Sequence, residues 1–281
     1  MKYRTLEVEI HHGVAVVWLN RPEVRNAFNA VMIGELCAAF TALRARSDVR
    51  ALVLAGHGEA FCAGADIGWM KKTAGASLAR NYEEALGLAE MLHSLDTLPQ
   101  PTIARVHGAV FGGGLGLVAA CDIAVATQDA EFCISEVKLG LTASTISPYL
   151  VRAMGARAAR RYFLTAERFA AAEAYRIGLV HELTLNAEID GAINALLGHL
   201  VQAGPSALAA TKDLIAHVAN APIDEALMAE TAKRIAGARS SAEGKEGLSA
   251  FRDKRAAAWM PGQEGKTANG AKRRTAPRAK A

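Results

Sequence analysis

Short-period alternation of hydrophobic and polar residues marks the start of the chain. Leu6–Ile10 and Val14–Leu19 alternate on either side of His11-His12-Gly13, a pattern that predicts a β-hairpin. The apolar run Ala51–Leu54 is typical of a buried strand. Further strands are predicted at Thr102–Val106, Ile123–Ala126 and Glu131–Ile134. The first half of the chain is therefore expected to build a sheet.

Helical spacing appears between these strands and then takes over. Val31–Arg44 and Ala79–Leu95 carry apolar residues three and four positions apart, and a third helix runs from the Gly112 loop to Ala120. From Ser147 onward the pattern predicts helices only: Ser147–Met154, Ala156–Leu164, Ala170–Ile177, Asn186–Gln202, Ser206–Ala219, Asp224–Ala238 and Ser241–Ala258. An α/β first part and an all-helical last part are expected.

Three consecutive glycines, Gly112 to Gly114, lie between a predicted strand and a predicted helix. Without Cβ atoms, such a loop lets a ligand approach the main-chain N–H groups. The free N–H groups and the positive dipole end of the first helical turn favour a developing negative charge. The triplet thus indicates an oxyanion hole. A glycine turn that only allows close strand–helix packing is the alternative.

A second loop of small residues supports the oxyanion interpretation. Phe61–Met70 reads FCAGADIGWM and directly follows the buried-strand run 51–57. Ala63, Gly64 and Ala65 leave the backbone open to a ligand in the same way. Two such loops can each supply one N–H to the same oxygen, which predicts an enzyme that handles an enolate or a tetrahedral intermediate.

Composition limits the remaining classes of protein. The chain has 281 residues, of which 51% are hydrophobic, enough for a substantial core. No apolar run approaches the roughly 18 residues of a membrane span, and the N-terminal segment shows no signal-peptide pattern. The four cysteines lack CxxC spacing and the eight histidines are scattered, so we expect a cytoplasmic protein without disulfides or a metal site.

Charge is concentrated at the C-terminal end. Residues 262–281 hold six basic residues against Glu264 alone, a net charge of +5, whereas the whole chain carries +4. This segment cannot bury a core and is expected to be a disordered, solvated tail. Binding of RNA or another polyanion is the less favoured interpretation.

Four motifs in order, FCAGADI, HGAVFGGGLGL, CDIAVAT and FCISEVKLGL, resemble the enoyl-CoA hydratase/isomerase (crotonase) family. The resemblance covers roughly Tyr3–Trp259. It implies an α/β fold, a crotonase-like ββα spiral with a C-terminal helical trimerisation region. The expected parts are a spiral core at 1–200, a helical oligomerisation region at 201–261 and the basic tail. A homotrimer or hexamer, an acyl-CoA substrate and no cofactor beyond its coenzyme A are implied.

The resemblance also implies roles for individual residues. The N–H groups of Ala65 and Gly113 would bind the thioester oxygen, and Glu136, in the motif FCISEVKLG, would move the proton. Burial among Phe132, Ile134 and Val137 would raise the pKa of Glu136 toward working pH. The substrate-binding positions implied by the family are Val24, Arg25, Ala27, Ala63, Asp66, Ile67, Gly112, Phe251 and Lys254, with Trp69 and Met70 lining the acyl pocket or serving as plain core. Asp66 resembles a residue that fixes its loop.

The chain departs from the hydratase pattern at two places. Hydratases usually carry a first carboxylate two residues after the glycine triplet, and here that position is Gly116. Ala143, Ser144 and Thr145 replace a glycine-rich stretch; their hydroxyls would orient water or cap the following helix. The pattern FCAGADIxWM, GGGxGLV, FCxSEVKLGL and ISPYxVRAMG resembles bacterial methylglutaconyl-CoA hydratases, which also lack the first glutamate and whose substrate carries a distal carboxylate. Arg152 is the candidate partner for it, with a surface ion pair as the alternative.

Three functions remain open at this point. The favoured one is hydration of an α,β-enoyl-CoA such as 3-methylglutaconyl-CoA. A Δ3,Δ2-enoyl-CoA isomerase is the alternative within the same fold, because one glutamate can move a proton between C4 and C2. An RNA-binding or scaffold role through the tail is the third. A dinucleotide-binding enzyme is disfavoured, since the GxGxxG spacing is missing.

Overall fold

The computed structural model describes residues 2–260. The strands are β1 Leu6–His11, β2 Val14–Leu19, β3 Ala51–Gly56, β4 Thr102–Val106, β5 Ala109–Phe111, β6 Ile123–Thr127, β7 Glu131–Cys133, β8 Phe169–Ala170 and β9 Glu182–Thr184. The helices are α1 Ala30–Arg44, α2 Ile67–Ala74, α3 Leu78–Asp96, α4 Gly113–Ala120, α5 Ser147–Thr165, α6 Ala171–Arg176, α7 Ile189–Gln202, α8 Pro205–Val218, α9 Glu225–Ser240 and α10 Ala242–Arg252. Short 3₁₀ helices occur at Pro22–Val24 and Glu136–Leu139.

The strands form two sheets. The larger has the order β1-β2-β3-β4-β6-β9, antiparallel between β1 and β2 and parallel beyond. The smaller has the order β5-β7-β8, with β5 and β7 parallel and β8 antiparallel. Successive turns of the chain place one strand in each sheet and then a helix, as β4, β5 and α4 do. This repetition is the ββα spiral of the crotonase fold.

Contacts divide the chain into two compact units, the first ending at Leu200 and the second beginning at Val201. In the first unit, one face of the large sheet and helices α1, α3, α4 and α5 enclose the main core. The other face packs Val53, Ile103 and Val125 against Ile189 and Ile193 of α7. Since both faces of its parallel strands are covered, the sheet reads as apolar runs rather than alternation.

The second unit consists of α8, α9 and α10. The Glu243 carboxylate accepts from the backbone N–H groups of Ser206 and Ala207 and so caps the start of α8. The Trp259 indole donates to the Gln202 carbonyl at 3.0 Å. Large apolar residues stay exposed on these helices and in the loop before α9: Ile215, Ile223, Met228, Ile235, Leu248 and Phe251. The unit therefore carries little core of its own.

Several elements differ from the periodicity-based expectations. Helix α2 and strands β5, β8 and β9 were not expected, because they are too short to show a clear period. Helix α10 ends at Arg252, where Ala258 was the expected end. Gly155, with φ +74°, divides α5 into two helical parts, and the two helices expected on either side of it are thus confirmed. The disordered tail predicted at residues 262–281 lies outside the described residues. Within 2–260, no helix has the length and apolar character needed to cross a bilayer.

Candidate active site

Two glycine loops meet at the edge of the small sheet. Residues 60–65 run beside β5, where Phe111 N–H donates to the Cys62 carbonyl at 2.9 Å. Gly64 and Gly112 have φ values of +94° and +48°, which L side chains rarely adopt. A Cβ at Gly64 would lie 3.1 Å from the Phe111 oxygen and 3.8 Å from the Gly112 nitrogen. Glycine is thus required for the close approach of the loops.

The backbone N–H groups of Ala65 and Gly113 remain available at this junction. Their neighbours are engaged: Asp66 N–H donates to Phe28 at 2.8 Å, and Gly112 N–H donates to Cys133 at 2.9 Å. Within residues 2–260, neither Ala65 N nor Gly113 N has a backbone acceptor. Gly113 is also the first residue of α4, at the positive end of the helix dipole. The two donors suit an anionic oxygen, as the sequence predicted.

The α-carbon of Gly113 faces the protein interior. A Cβ there would lie 2.8 Å from Cε2 of Phe28, a fully buried ring. A side chain at this position would therefore meet the Phe28 ring.

Glu136 begins the 3₁₀ helix that follows β7. Its Oε1 lies 3.1 Å from where a Cβ at Gly112 would be, so the carboxylate reaches the glycine loop. Its Oε2 is buried and has no hydrogen-bond partner in the described part of the chain. Burial raises the pKa of the Glu136 carboxyl, and the backbone N–H groups of Glu136 and Ser135 offset part of that rise. A half-buried carboxyl beside the oxyanion donors is suited to accept and return a proton.

The position of the family's first carboxylate is closed. A Cβ at Gly116 would lie 2.4 Å from Cγ2 of Ile146 and 3.4 Å from Cδ1 of Leu92. Both side chains are fully buried. No Asp or Glu occurs in Val110–Ala120. Glu136 is therefore a candidate carboxylate for this site that both its sequence motif and its position beside Gly112 support.

The hydroxyls after Glu136 do not cap the following helix. The N-cap residue of α5 is Ile146, which has no side-chain cap bond. Ser144 Oγ instead lies 2.5 Å from Thr142 Oγ1, and Ser147 Oγ donates to the Ser144 carbonyl at 2.8 Å. Of the two roles open for Ser144 and Thr145, orientation of water stays a prediction.

The loop assigned to coenzyme A is tied to the glycine loop. Arg25 has φ +52°, and its carbonyl accepts from Ala63 N–H at 2.9 Å. Arg25 is exposed and has no ion pair with any residue between 2 and 260. Val24 is at the surface, whereas Ala27 is buried. The two stretches therefore lie side by side, with a free guanidinium at the surface.

Asp66 holds these loops together. Its carboxylate accepts from Arg21 at 2.9 Å and from Trp69 N–H at 3.0 Å, as the N-cap of α2. The Trp69 N–H bond, with the Arg21 guanidinium second, lowers the pKa of the Asp66 carboxyl. Trp69 is partly buried and its indole donates to Glu84 at 2.8 Å, while Ile67 is 72% exposed. Asp66 thus has the structural role expected of it.

Arg152 lies at the other end of α4 from the oxyanion donors. Its guanidinium bonds the Asp96 carboxylate at the C-terminal end of α3 and covers the Tyr149 ring at 5.5 Å. The charge of Asp122, which follows α4, also raises the pKa of Arg152. Gly113 to Asp122 spans roughly 13 Å of helical rise. Arg152 therefore forms an ion pair, which was the alternative expectation for it. These contacts give no support to its expected binding of an acyl carboxylate.

Phe251 and Lys254 belong to the second unit. Phe251 lies on α10 with 85% of its surface exposed, and Lys254 follows the helix with φ +51°. Lys254 has no ion pair among the described residues. Their proposed contact with the far end of coenzyme A stays a prediction.

Sequence reasoning missed the residues that shape the loops. Arg21 donates to the Ala27 carbonyl at 2.7 Å as well as to Asp66. Asn26 is buried with φ +56°, and its amide donates to the carbonyls of His57 and Ala60 at 2.8 Å. The sequence does contain a signal for Arg21 and Asn26, because charged and amide side chains near a proline are typical of a tight turn whose backbone groups they hydrogen-bond. Phe28 and Ile146 gave no signal, because an apolar residue does not reveal what it packs against.

Comparison with known proteins agrees with this geometry. Residues 9–262 match the family model described as enoyl-CoA hydratase/isomerase. A crotonyl-CoA hydratase from Syntrophomonas wolfei is 32% identical over 259 residues, covering 92% of this chain and 98% of that protein. The crystal structure of an enoyl-CoA hydratase from Shewanella pealeana superposes with a TM-score of 0.90 and 41% identity, covering 92% of this chain and 97% of the other. Pseudomonas aeruginosa AtuE superposes with a TM-score of 0.87 and 39% identity, covering 91% and 99%. This chain is a member of the enoyl-CoA hydratase/isomerase family.

Proposed function

We propose that this protein adds water across the α,β double bond of an enoyl-CoA thioester. The observation that carries the proposal is the junction of Glu136 with the two glycine loops. The buried carboxylate adjoins Gly112, and the next residue, Gly113, offers a free N–H at the start of α4. The carboxylate that would transfer the proton thus adjoins the residue directly before an oxyanion donor.

In the proposed reaction, Ala65 and Gly113 donate to the thioester oxygen. Negative charge grows on that oxygen as C2 becomes carbanion-like, so both bonds strengthen on the way to the transition state. Glu136 takes a proton from water, the water oxygen bonds to C3, and the proton is returned to C2. The proposal needs no cofactor beyond the coenzyme A of the substrate.

The substrate we favour is 3-methylglutaconyl-CoA or a related branched enoyl-CoA. The pattern of Gly116 followed by ISPYLVRAMG supports this choice through its resemblance to the hydratases of such acids. Because Arg152 is paired with Asp96, no residue is assigned to bind the distal carboxylate of this substrate. Substrate measurements must therefore decide the acyl chain.

Isomerisation of a Δ3-enoyl-CoA is the second candidate, and one observation favours it. Position 116 is closed by Ile146, so a single carboxylate serves the site. One carboxylate can remove a proton from C2 and return it to C4. A panel of crotonyl-CoA, 3-methylglutaconyl-CoA and a 3-enoyl-CoA, followed by enoyl absorbance, separates the two reactions. Loss of absorbance with the branched substrate supports hydration, and a gain only with the 3-enoyl-CoA supports isomerisation.

Self-association belongs to the same proposal. The exposed apolar residues of α8, α9 and α10 support a homotrimer or hexamer, since they would be buried between copies. Light scattering that finds a monomer would contradict this part. The four free cysteines, none in a disulfide within 2–260, are consistent with the proposed cytoplasmic location. A role of the tail in RNA binding lies outside the described residues and has less support.

A further inference from the structure

Position 116 is occupied by another residue's side chain. Gly116 is in the first turns of α4, and a Cβ there would lie 2.4 Å from Cγ2 and 3.1 Å from Cβ of Ile146. Real carbon atoms do not approach so closely. Ile146 is 1% exposed, and its carbonyl accepts from Leu150 N–H at 3.1 Å in the first turn of α5. Because its side chain is buried and its carbonyl is bonded in the helix, the isoleucine has little room to give way.

The direction of position 116 matters for the chemistry. It follows Gly112 by four residues, and Gly112 adjoins the Glu136 carboxylate. Side chains on a helix tilt toward its N-terminus, so residues four apart lie one above the other. A side chain at position 116 would therefore extend toward the N-terminal end of α4, the end that Glu136 adjoins, if Ile146 did not fill that space.

We propose that Gly116 and Ile146 are a coupled pair, and that Ile146 determines the specificity of the site by keeping it to one carboxylate. The inference rests on the proposed function and names the residue that selects its reaction. With isoleucine in place, a second acid at position 116 would both clash and be desolvated beside Leu92. With the isoleucine removed, the site would accept the second acid, and two carboxylates would then share the proton transfers of hydration.

The size of the exchange is suitable for a test. Gly116→Glu adds five heavy atoms, and Ile146→Gly removes four. Ile146 is the N-cap of α5 with φ −91°, a position where glycine is well tolerated. The double variant therefore keeps nearly the original volume. Gly116→Gln with Ile146→Gly has the same shape without the charge and is the matched control.

Stability measures the coupling without any need for activity. Gly116→Ala should lower the urea midpoint of the wild type, and the same substitution should lower it much less when it is made in the Ile146→Gly background. Gly87→Ala is the control, because Gly87 is a glycine of α3 with open space around its Cα. It should keep or raise the midpoint. Additive effects of Gly116→Ala and Ile146→Gly would overturn the pairing.

Activity then measures the specificity. The Gly116→Glu/Ile146→Gly variant should hydrate crotonyl-CoA with kcat/KM at least tenfold above both the Gln control and the wild type. Equal rates in the Glu and Gln doubles would overturn the claim that Ile146 selects the reaction. If the wild type turns over none of the thioesters, the proposed function fails. The stability cycle and the comparison of the two doubles still decide this inference.

Discussion

The ring of Phe28 lies against the α-carbon of Gly113, where a Cβ would be 2.8 Å from Cε2. Phe28 is also part of the hydrogen bonding that fixes the first glycine loop, since its N–H donates to Gly64 at 2.7 Å. The same residue thus positions both proposed oxyanion donors: its backbone holds the loop of Ala65, and its ring supports Gly113.

Gly113→Ala should therefore act first through packing. Overpacking of a filled core costs about 1–3 kcal/mol, so the free energy of unfolding in urea should fall by that order. The loss caused by Gly113→Ala should be smaller in a Phe28→Leu background, because the shorter side chain leaves room for the added methyl group. Gly34→Ala in α1, with nothing near its Cα, is the control and should be neutral or stabilising. A fully stable Gly113→Ala variant would contradict the packing described here.

Replacing Glu136 tests the proton transfer. Glu136→Gln should lower kcat by at least about a hundredfold while an acyl-CoA still binds, since general acid–base catalysis contributes this much or more. Glu131→Gln, on β7 and paired with Arg168 at the surface, is the control and should keep kcat. A Glu136→Gln variant within a few-fold of wild type would remove this residue from the mechanism.

The raised pKa of Glu136 also predicts how stability depends on pH. The folded protein holds this proton more tightly than the unfolded chain, so stability is highest below the unfolded pKa and falls as pH rises through the folded one. Glutamine stays neutral. The melting temperature of Glu136→Gln relative to wild type should therefore increase between about pH 4 and pH 8. A flat difference between Glu136→Gln and wild type across this range would contradict the desolvation of Glu136.

Activity should show the same shift. A base must be ionised to accept a proton, so kcat/KM should fall as pH decreases through the raised pKa. The midpoint of the acid limb should lie above the pH range in which carboxyl groups usually titrate. This limb should be absent in Glu136→Gln. A limb in the ordinary carboxyl range would indicate that Glu136 is more solvated than its burial implies.

Variants of Asp66 distinguish a role in positioning the loop from a role in proton transfer. Asp66→Ala removes both the N-cap of α2 and the partner of Arg21, whereas Asp66→Asn keeps a capping oxygen. Loss of a cap costs about 1 kcal/mol. The alanine variant should also weaken binding of coenzyme A, measured by calorimetry, more than it changes kcat. Asp224→Ala, which removes the N-cap of α9, should show a similar stability loss with unchanged affinity. A large kcat effect of Asp66→Asn would instead make Asp66 part of the proton transfer.

The sequence alone determined the class of the protein and its main donors. Strand and helix periods predicted β1, β2, α1 and α3 within a few residues, because each has one face toward a single core. The glycine triplet and the small-residue loop predicted free N–H groups, since missing Cβ atoms are visible in the sequence itself. Glu136 was found from its motif, and its burial agreed with its apolar neighbours.

Only the tertiary structure decided which side chains share a space. No pattern indicates that Ile146 fills position 116 or that Phe28 lies behind Gly113, because those contacts join residues 30 and 85 positions apart. Arg152 illustrates the same limit: its charge was evident, but its partner Asp96 lies on another helix. Periodicity reports which face of an element is buried. Packing between distant elements decides what each face meets, and here it closes position 116 to a larger side chain.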